Sequence, residues 1–195
     1  MDRRAALAIV FTLAAVAAGC ASSPAHLYTL SATVTPSAAS SKLSVAVGPV
    51  SVPAAVDRPQ IVVSTSANQV TVDDFNRWAS PLQDNLARVV AENLVALLGT
   101  PRVTLFPQTL AAEVDYRVQI EIRNFESAPG KSASLDAVWT VRRAKDGKTE
   151  TGRTSAREKV DADGYEALAA AHSRGVARLS QDIADGVRML DRAAP

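Results

Sequence analysis

The chain has 195 residues, with 21 lysine and arginine residues against 20 aspartate and glutamate residues, and a formal net charge of +1 at pH 7. Charges this evenly balanced give no electrostatic footprint for nucleic acid, so we expect no nucleic-acid partner. Cys20 is the single cysteine, which excludes an internal disulfide and would leave an unpaired thiol exposed to oxidation outside the cell. The length is enough for one well-buried domain.

Residues 1–19 have the pattern of a secretory signal peptide. Arg3 and Arg4 precede an apolar run from Ala5 to Ala18, and this run is shorter than the roughly 20 residues that a helix needs to span a bilayer. A charged start, a short apolar run and small residues before the cleavage point are typical of such signals. The sequence therefore predicts a mature chain that begins at Cys20.

The stretch Ala17-Ala18-Gly19-Cys20 resembles a bacterial lipobox. The resemblance implies cleavage before Cys20, a diacylglyceryl group on its thiol and an acyl chain on its amino group, with no further cofactor. Ala21 and Ser22 follow in place of the aspartate that retains many such lipoproteins in the inner membrane. The resemblance thus implies the outer membrane, with the domain facing the periplasm. The alternative is an ordinary cleaved signal with an incidental cysteine.

Residues 20–41 are rich in Ala, Ser, Thr and Pro, and their composition predicts a lipidated tether. A single periplasmic domain is predicted over residues 42–195. It opens with three short strands, and the second and third are joined by a hairpin turn. These strands are predicted at Leu43–Val50, Ile61–Val63 and Val70–Val72.

A helical period follows, with apolar residues three and four positions apart between Phe75 and Leu97. The pattern predicts a helix from about residue 81 to residue 98, capped by Ser80, with a backward extension to Asp74 left open. Gly99 ends this helix in the prediction. Asp73 and Asp74 are interpreted as negative charges near the positive end of the helix dipole rather than as a metal or acid–base pair.

The second half of the chain predicts four strands and a long helix. The strands are expected at Val103–Phe106, Val114–Asn124, Leu135–Arg143 and Thr149–Val160. The last strand is polar and is expected at an edge, and a helix follows from about Asp163 to Leu190. The order predicts an α+β fold, a two-layer α/β sandwich in which one mostly antiparallel mixed sheet carries two long amphipathic helices on one face.

No catalytic constellation is evident in the sequence. His26 falls in the predicted tether and His172 in the last helix, and neither has neighbours at metal-ligand spacing. Nucleophile-elbow, P-loop and dinucleotide motifs are missing. We therefore expect no enzyme activity and no metal site, with His172 at a helix flank, although a Ser–His pair formed across the fold is left open. The run Arg142–Lys145 is interpreted as a solvated hairpin balanced by Asp146.

Several short motifs occur in a specific order along the mature chain. They are Tyr28-Thr29-Leu30, Gly48-Pro49-Val50, Asp57-Arg58-Pro59-Gln60, Arg77-Trp78-Ala79-Ser80-Pro81-Leu82 and the closing helix from Tyr165. Together they resemble the auxiliary lipoprotein family of ABC-type transport systems, which includes the outer-membrane lipoprotein of the paraquat-inducible system. Within this pattern, Trp78 is expected in the core.

The resemblance implies an accessory subunit of an MCE-type intermembrane lipid transport system, docking an MCE-domain protein that is supported by inner-membrane transporter components. Asp57, Arg58, Pro59 and Gln60 are the candidate docking residues, with Arg58 foremost because arginine is enriched at interface anchors. The alternative is that this motif only shapes a turn, since aspartate accepts backbone hydrogen bonds and proline fixes φ. A homo-oligomer is left open. The alternative function is a lipid carrier that holds an acyl chain in a cavity of its own. A hydrolytic lipoprotein is disfavoured by the missing motifs.

Overall fold

A computed structural model describes residues 24–38, 40–107 and 114–192. The predicted signal peptide and Cys20 lie outside the described residues. Among the residues that are described, neither helix is long and apolar enough to cross a membrane.

The described chain forms eight strands and two helices, in the order of four strands, a helix, four strands and a second helix. The strands are β1 (His26–Tyr28), β2 (Val45–Ser51), β3 (Gln60–Ser66), β4 (Gln69–Trp78), β5 (Val103–Leu105), β6 (Tyr116–Ala128), β7 (Ser132–Arg143) and β8 (Thr149–Lys159). The helices are α1 (Leu82–Leu98) and α2 (Tyr165–Arg192).

The strands divide into two sheets. A five-stranded sheet has the order β5-β2-β6-β7-β8, and a three-stranded sheet has the order β1-β4-β3. The long pairings of β6 with β7, β7 with β8 and β3 with β4 are antiparallel, whereas β2 pairs in parallel with both β5 and β6, and β1 pairs in parallel with β4. The prediction of one sheet is therefore wrong, although the α+β sandwich is confirmed. Both edges of β2 are occupied by β5 and β6, so the β3–β4 hairpin cannot join beside its neighbour in the chain.

Both helices pack on the same face of the five-stranded sheet. Helix α1 lies over β2 and β5, and α2 lies over β6, β7 and β8. Asn93 in α1 donates to Ser180 in α2, and Arg188 near the end of α2 donates to the carbonyl of Leu97 near the end of α1. The two helices therefore run side by side in the same direction. The space between helices and sheet is filled by fully buried apolar side chains, among them Leu86, Val89, Leu94, Val118, Ala137, Val141, Leu179 and Ile183.

The ends of α1 correct two predictions and confirm a third. Pro81 is the N-cap residue and no side chain caps the helix, so the predicted role of Ser80 is wrong. The backward extension to Asp74 is also wrong, because this stretch is the strand β4. Gly99 ends the helix in the left-handed conformation, with φ 62°, as predicted, because glycine adopts a positive φ without a steric penalty.

The segment predicted as a tether is folded from its first described residues onward. β1 pairs with β4, and Leu30 is completely buried. Farther along, the backbone amides of Ser37 and Ser41 donate to the carbonyls of Ala96 and Gly99 at the end of α1. The predicted domain start at Lys42 is therefore too late. The composition of this stretch resembles a linker, but its backbone hydrogen bonds join it to β4 and to both helices.

Candidate functional site

Three of the motif segments meet at the end of β4. The backbone amide of Trp78 donates to the carbonyl of Pro59 at 2.7 Å, and the amide of Ala79 donates to the carbonyl of Tyr28 at 2.8 Å. The Asp57–Gln60 loop and the Tyr28–Leu30 segment therefore attach to the same point of the chain. The motifs are far apart in the sequence, but in the fold they form one tertiary junction.

Trp78 lies inside this junction, with 5% of its surface exposed, as predicted. Its ring makes edge contacts with Phe125 at a centroid distance of 6.1 Å and with His172 at 6.3 Å. His172 in turn stacks on Phe125, with centroids 3.9 Å apart. The aromatic cluster joins β4, β6 and α2, so the position of the Asp57–Gln60 loop is fixed by the core.

The Tyr-Thr-Leu segment is held against α1 by polar contacts. The buried side-chain oxygen of Asn85 accepts hydrogen bonds from the amide of Leu30 and the hydroxyl of Thr29. Arg88 donates to the carbonyl of Leu30 at 2.7 Å and to the same Asn85 oxygen at 2.7 Å. Tyr28 packs its ring on Tyr165 and donates to Asn76. This motif therefore has a structural role in fixing the start of the domain.

The Asp57–Gln60 loop combines a constrained backbone with exposed side chains. The amides of Val56 and Asp57 both donate to the carbonyl of Pro53, and the amide of Arg58 donates to Val56. Gln60 is the first residue of β3 and pairs with Arg77. The side chains of Asp57, Arg58 and Pro59 are exposed and Gln60 is half-buried. The loop presents a carboxylate and a guanidinium on a backbone that is already ordered.

A Ser–His pair does form across the fold, between Ser127 on β6 and His172 on α2, with 2.8 Å between Oγ and Nε2. The sequence left this pairing open, but the expectation that His172 lies at a helix flank is wrong, since only 2% of it is exposed. Burial lowers the pKa of His172 to about 3, so the imidazole is neutral near neutral pH. Its Nδ1 has no hydrogen-bond partner within the described ranges. A triad would need a third group there to orient the ring.

The sequence predicted that Asp73 interacts with the start of α1, but in the structure it contacts the first turn of α2. Its carboxylate accepts hydrogen bonds from the hydroxyl of Tyr165 at 2.7 Å and from the amides of Phe75 and Asn76 at 2.9 Å each. Burial opposes ionisation, but the hydrogen bonds from Tyr165, Asn76 and Phe75 together hold the pKa of Asp73 below its usual range. Burial and the same carboxylate raise the pKa of Tyr165. Asp73 thus ties the β3–β4 hairpin to α2.

The prediction that the basic run Arg142–Lys145 is solvated is wrong for Arg143, which is buried. It is 4% exposed rather than solvated. Its guanidinium donates to both carboxylate oxygens of Asp146, at 2.9 and 2.6 Å, and to the carbonyl of Leu190 at 2.5 Å. The hydrogen bond from Arg143 is the main reason why the pKa of Asp146 lies well below its usual range. This two-pronged hydrogen bond, which we call the fork, joins the β7–β8 turn, and Arg143 also joins it to the end of α2.

Open grooves flank the domain. One of 470 Å³ runs between the N-terminal segment and α2, with Tyr28, Ser31, Glu166 and Ser173 among its lining residues. Another of 670 Å³ lies at the opposite end, beside Arg102, Asp115 and Arg143. Within the described part of the chain, no group of three histidine, cysteine, aspartate or glutamate residues could hold a metal ion.

The family model described as the ABC-type transport auxiliary lipoprotein component matches residues 28–184. No curated protein matches the chain. A crystal structure of an uncharacterized protein has a TM-score of 0.70 at 21% sequence identity, covering 85% of this chain and 99% of that one. The crystal structure of protein XCC0632 from Xanthomonas campestris has a TM-score of 0.68 at 18% identity, covering 86% and 99% of the two chains. At this identity, the two structures are evidence for the fold alone.

Proposed function

This chain belongs to the ABC-type transport auxiliary lipoprotein family, and we propose that it is the docking subunit of an MCE-type intermembrane lipid transport system. In this proposal, lipid on Cys20 anchors it in the outer membrane and the domain faces the periplasm. The partner is an MCE-domain protein supported by inner-membrane transporter components. The protein has no enzymatic role in this assembly.

The observation that carries the docking role is the geometry of the Asp57–Gln60 loop. Its backbone is held by hydrogen bonds to Pro53, Val56 and Trp78, while Asp57 and Arg58 extend into solvent. A loop that is ordered before binding loses little conformational entropy when a partner covers it. Arginine is also enriched among the residues that contribute most to protein–protein binding.

The remaining elements favour docking over chemistry or carriage. The apolar faces of both helices pack on the sheet, and the space between the helices and the sheet is filled by buried side chains. An acyl chain would need a cavity of several hundred Å³ in that space. The Ser127–His172 pair is buried on both sides, at 3% and 2% exposure, so a substrate has no access to the hydroxyl.

The test is capture of an MCE-domain protein from the same organism, using the full lipoprotein in detergent. Arg58→Glu reverses one exposed charge and should weaken capture while leaving the thermal unfolding temperature unchanged, as expected for a surface site. Arg157→Glu is the matched control, because Arg157 is also exposed but lies on β8. Equal capture by both variants and the wild type would place the docking face elsewhere, and unfolding of Arg58→Glu would make the loop a structural element.

A further inference from the structure

The β3–β4 hairpin extends past the start of α2. The hydroxyl of Tyr165, the first residue of α2, donates to Asp73 on β4, and Trp78 at the end of β4 contacts His172, farther along the same helix. From Asp73 to Trp78, β4 therefore runs alongside α2, from the first turn of the helix toward its middle. The residues before Asp73 continue in the other direction, beyond the helix.

This projecting part is uncharged and exposes apolar side chains. The sequence contains no charged residue from Gln60 to Val72. Val70 and Val72 lie in this part and are 61% and 36% exposed, and Phe75, which follows Asp73 and Asp74 on β4, is 51% exposed. These three residues form the hairpin patch. Val62 pairs with Val72 in the register, so it lies on the same face of the hairpin.

The N-terminal chain leaves the domain toward the same end. β1 runs parallel to β4, with His26 beside Asn76 and Tyr28 beside Trp78. Continuing backward from His26 therefore leads in the same direction as continuing backward from Asn76 to the hairpin. Leu27, on the same short strand, is 64% exposed. Four residue steps separate Pro24 from Cys20, and such a segment spans at most about 14 Å.

We propose that the hairpin patch contacts the surface of the membrane that holds the lipid on Cys20. This inference rests on the anchor in the proposed function, since the short reach from Cys20 keeps this end of the domain close to the bilayer. The outer edge of β3 has no strand partner among the described residues. Backbone groups at such an edge need water or head groups, so the hairpin lies at the interface and only its side chains enter the acyl region.

Charge is not the basis of this contact. The same end of the domain carries Lys131 and Lys159, but also Asp74, Asp161 and Asp163, all exposed. Attraction to anionic lipid is therefore offset by repulsion, and the apolar side chains provide the contact. Binding of the patch should consequently persist when the salt concentration is raised, in contrast to a basic surface, whose membrane contact is screened.

The experiment places tryptophan at the patch and at a distant control site in the full lipidated protein. The variants are Val70→Trp, Phe75→Trp and Met189→Trp. Met189 is 53% exposed, close to the 51% of Phe75. It lies 24 residues beyond the start of α2, or about 36 Å along the helix. Trp78 and Trp139 are both buried, so wild-type emission can be subtracted.

Each variant is reconstituted into vesicles of phosphatidylethanolamine and phosphatidylglycerol that contain a phospholipid with brominated acyl chains. We expect the added emission of Val70→Trp and Phe75→Trp to shift to shorter wavelength and to be quenched by bromine, equally at low and high salt. Met189→Trp should be neither shifted nor quenched.

Flotation of the same vesicles separates this inference from the anchor. Vesicles that carry the protein without quenching at either hairpin position would overturn the membrane contact and leave the anchor in place. A wavelength shift without quenching would mean that protein, for example a second copy, covers the patch, which also overturns the inference. Protein that fails to float would overturn both the anchor and the membrane contact.

Discussion

The imidazole of His172 stacks on the phenyl ring of Phe125, with ring centroids 3.9 Å apart and planes inclined by 9°. The ring is held from one side by this stack and at its edge by Ser127. Burial lowers the pKa of His172 to about 3, so the ring is neutral near neutral pH. The junction that positions the Asp57–Gln60 loop therefore contains a buried histidine that is neutral near neutral pH.

Acidification should weaken the domain through His172. Its pKa is about 3 in the folded state, against about 6.5 in an unfolded chain. Between these values the unfolded state binds a proton that the folded state does not, so stability falls as the pH falls. This residue should therefore cost about 1.4 kcal/mol of unfolding free energy per pH unit below pH 6.5. Its contribution is fully retained above that pH. Denaturant unfolding measured from pH 7 to pH 4 gives the slope.

His172→Gln is the comparison for this slope. The variant should be less stable at pH 7, because it loses the ring stack, but its unfolding free energy should fall less steeply with acid than that of the wild type. His26→Gln, at an exposed histidine on β1, is the control and should follow the wild-type curve. Parallel curves for the wild type and His172→Gln would contradict the assignment.

The Ser127–His172 pair should have no hydrolytic activity. Both residues are buried, and Nδ1 of His172 lacks a hydrogen-bond partner in the described structure. Esterase and phosphatase assays on the purified protein should show turnover no higher than the blank. Turnover that is lost in both Ser127→Ala and His172→Ala, with the fold intact by circular dichroism, would overturn this conclusion.

Replacing Arg143 should destabilise the domain more than replacing its neighbour on β7. Arg143→Met removes the guanidinium that donates to both carboxylate oxygens of Asp146 and to the carbonyl of Leu190. Loss of one partner of a fully buried pair costs about 3–5 kcal/mol. The carboxylate of Asp146 is 31% exposed and can be rehydrated, so we expect about 2–3 kcal/mol here. Chemical denaturation is the measurement.

Two controls define the origin of that loss. Arg142→Met changes an exposed residue on the same strand and should alter the unfolding free energy by no more than about 0.5 kcal/mol. Arg143→Lys retains the charge but not the two-pronged hydrogen bond, so its stability should fall between those of the wild type and Arg143→Met. A fully stable Arg143→Met would show that the fork contributes little.

Two glycines in α2 should respond in opposite directions to alanine. A Cβ at Gly175 would meet its nearest atom at 3.7 Å, an ordinary contact, whereas a Cβ at Gly186 would lie 2.8 Å from the ring of Trp139. That ring cannot move away, because Gly152 lies against it and its nitrogen donates to Thr154.

We expect Gly175→Ala to raise the unfolding free energy by about 1 kcal/mol, the gain in helix propensity. Gly186→Ala should lower it by about 1–3 kcal/mol through overpacking. Thermal and denaturant unfolding of the two variants in parallel provide the measurement. Two variants of equal stability would mean that Trp139 has room to shift.

Cys20 should be required for membrane attachment. Acyl chains contribute about 0.8 kcal/mol for each buried methylene group, so their loss should release the domain. Cys20→Ala, expressed in cells without the transporter partners, should appear in the soluble periplasmic fraction, whereas Ser22→Ala, next to the site, should remain with the outer membrane. Outer-membrane flotation of Cys20→Ala under these conditions would contradict the anchor.

Local patterns determined most of the secondary structure. The alternation from Tyr116 to Ile122, the Asp146-Gly147 turn and Gly99 after the apolar stripe each predicted an element that the structure confirms. These signals are readable because strand faces, tight turns and helix ends depend on residues close together in the chain.

Tertiary contacts decided the rest. The pairing of β1 with β4 joins residues about 50 positions apart, and the Tyr28-Thr29-Leu30 motif gave no indication of its partner in a segment otherwise rich in Ala, Ser, Thr and Pro. The burial of His172 and Arg143 could not be predicted either. A polar side chain is buried where the fold supplies a hydrogen-bond partner, and these partners, Ser127 and Asp146, are brought into place by the tertiary structure. The hairpin patch became visible only when contacts with α2 gave its direction. A sequence specifies which faces are apolar, whereas the fold decides which of those faces stay uncovered.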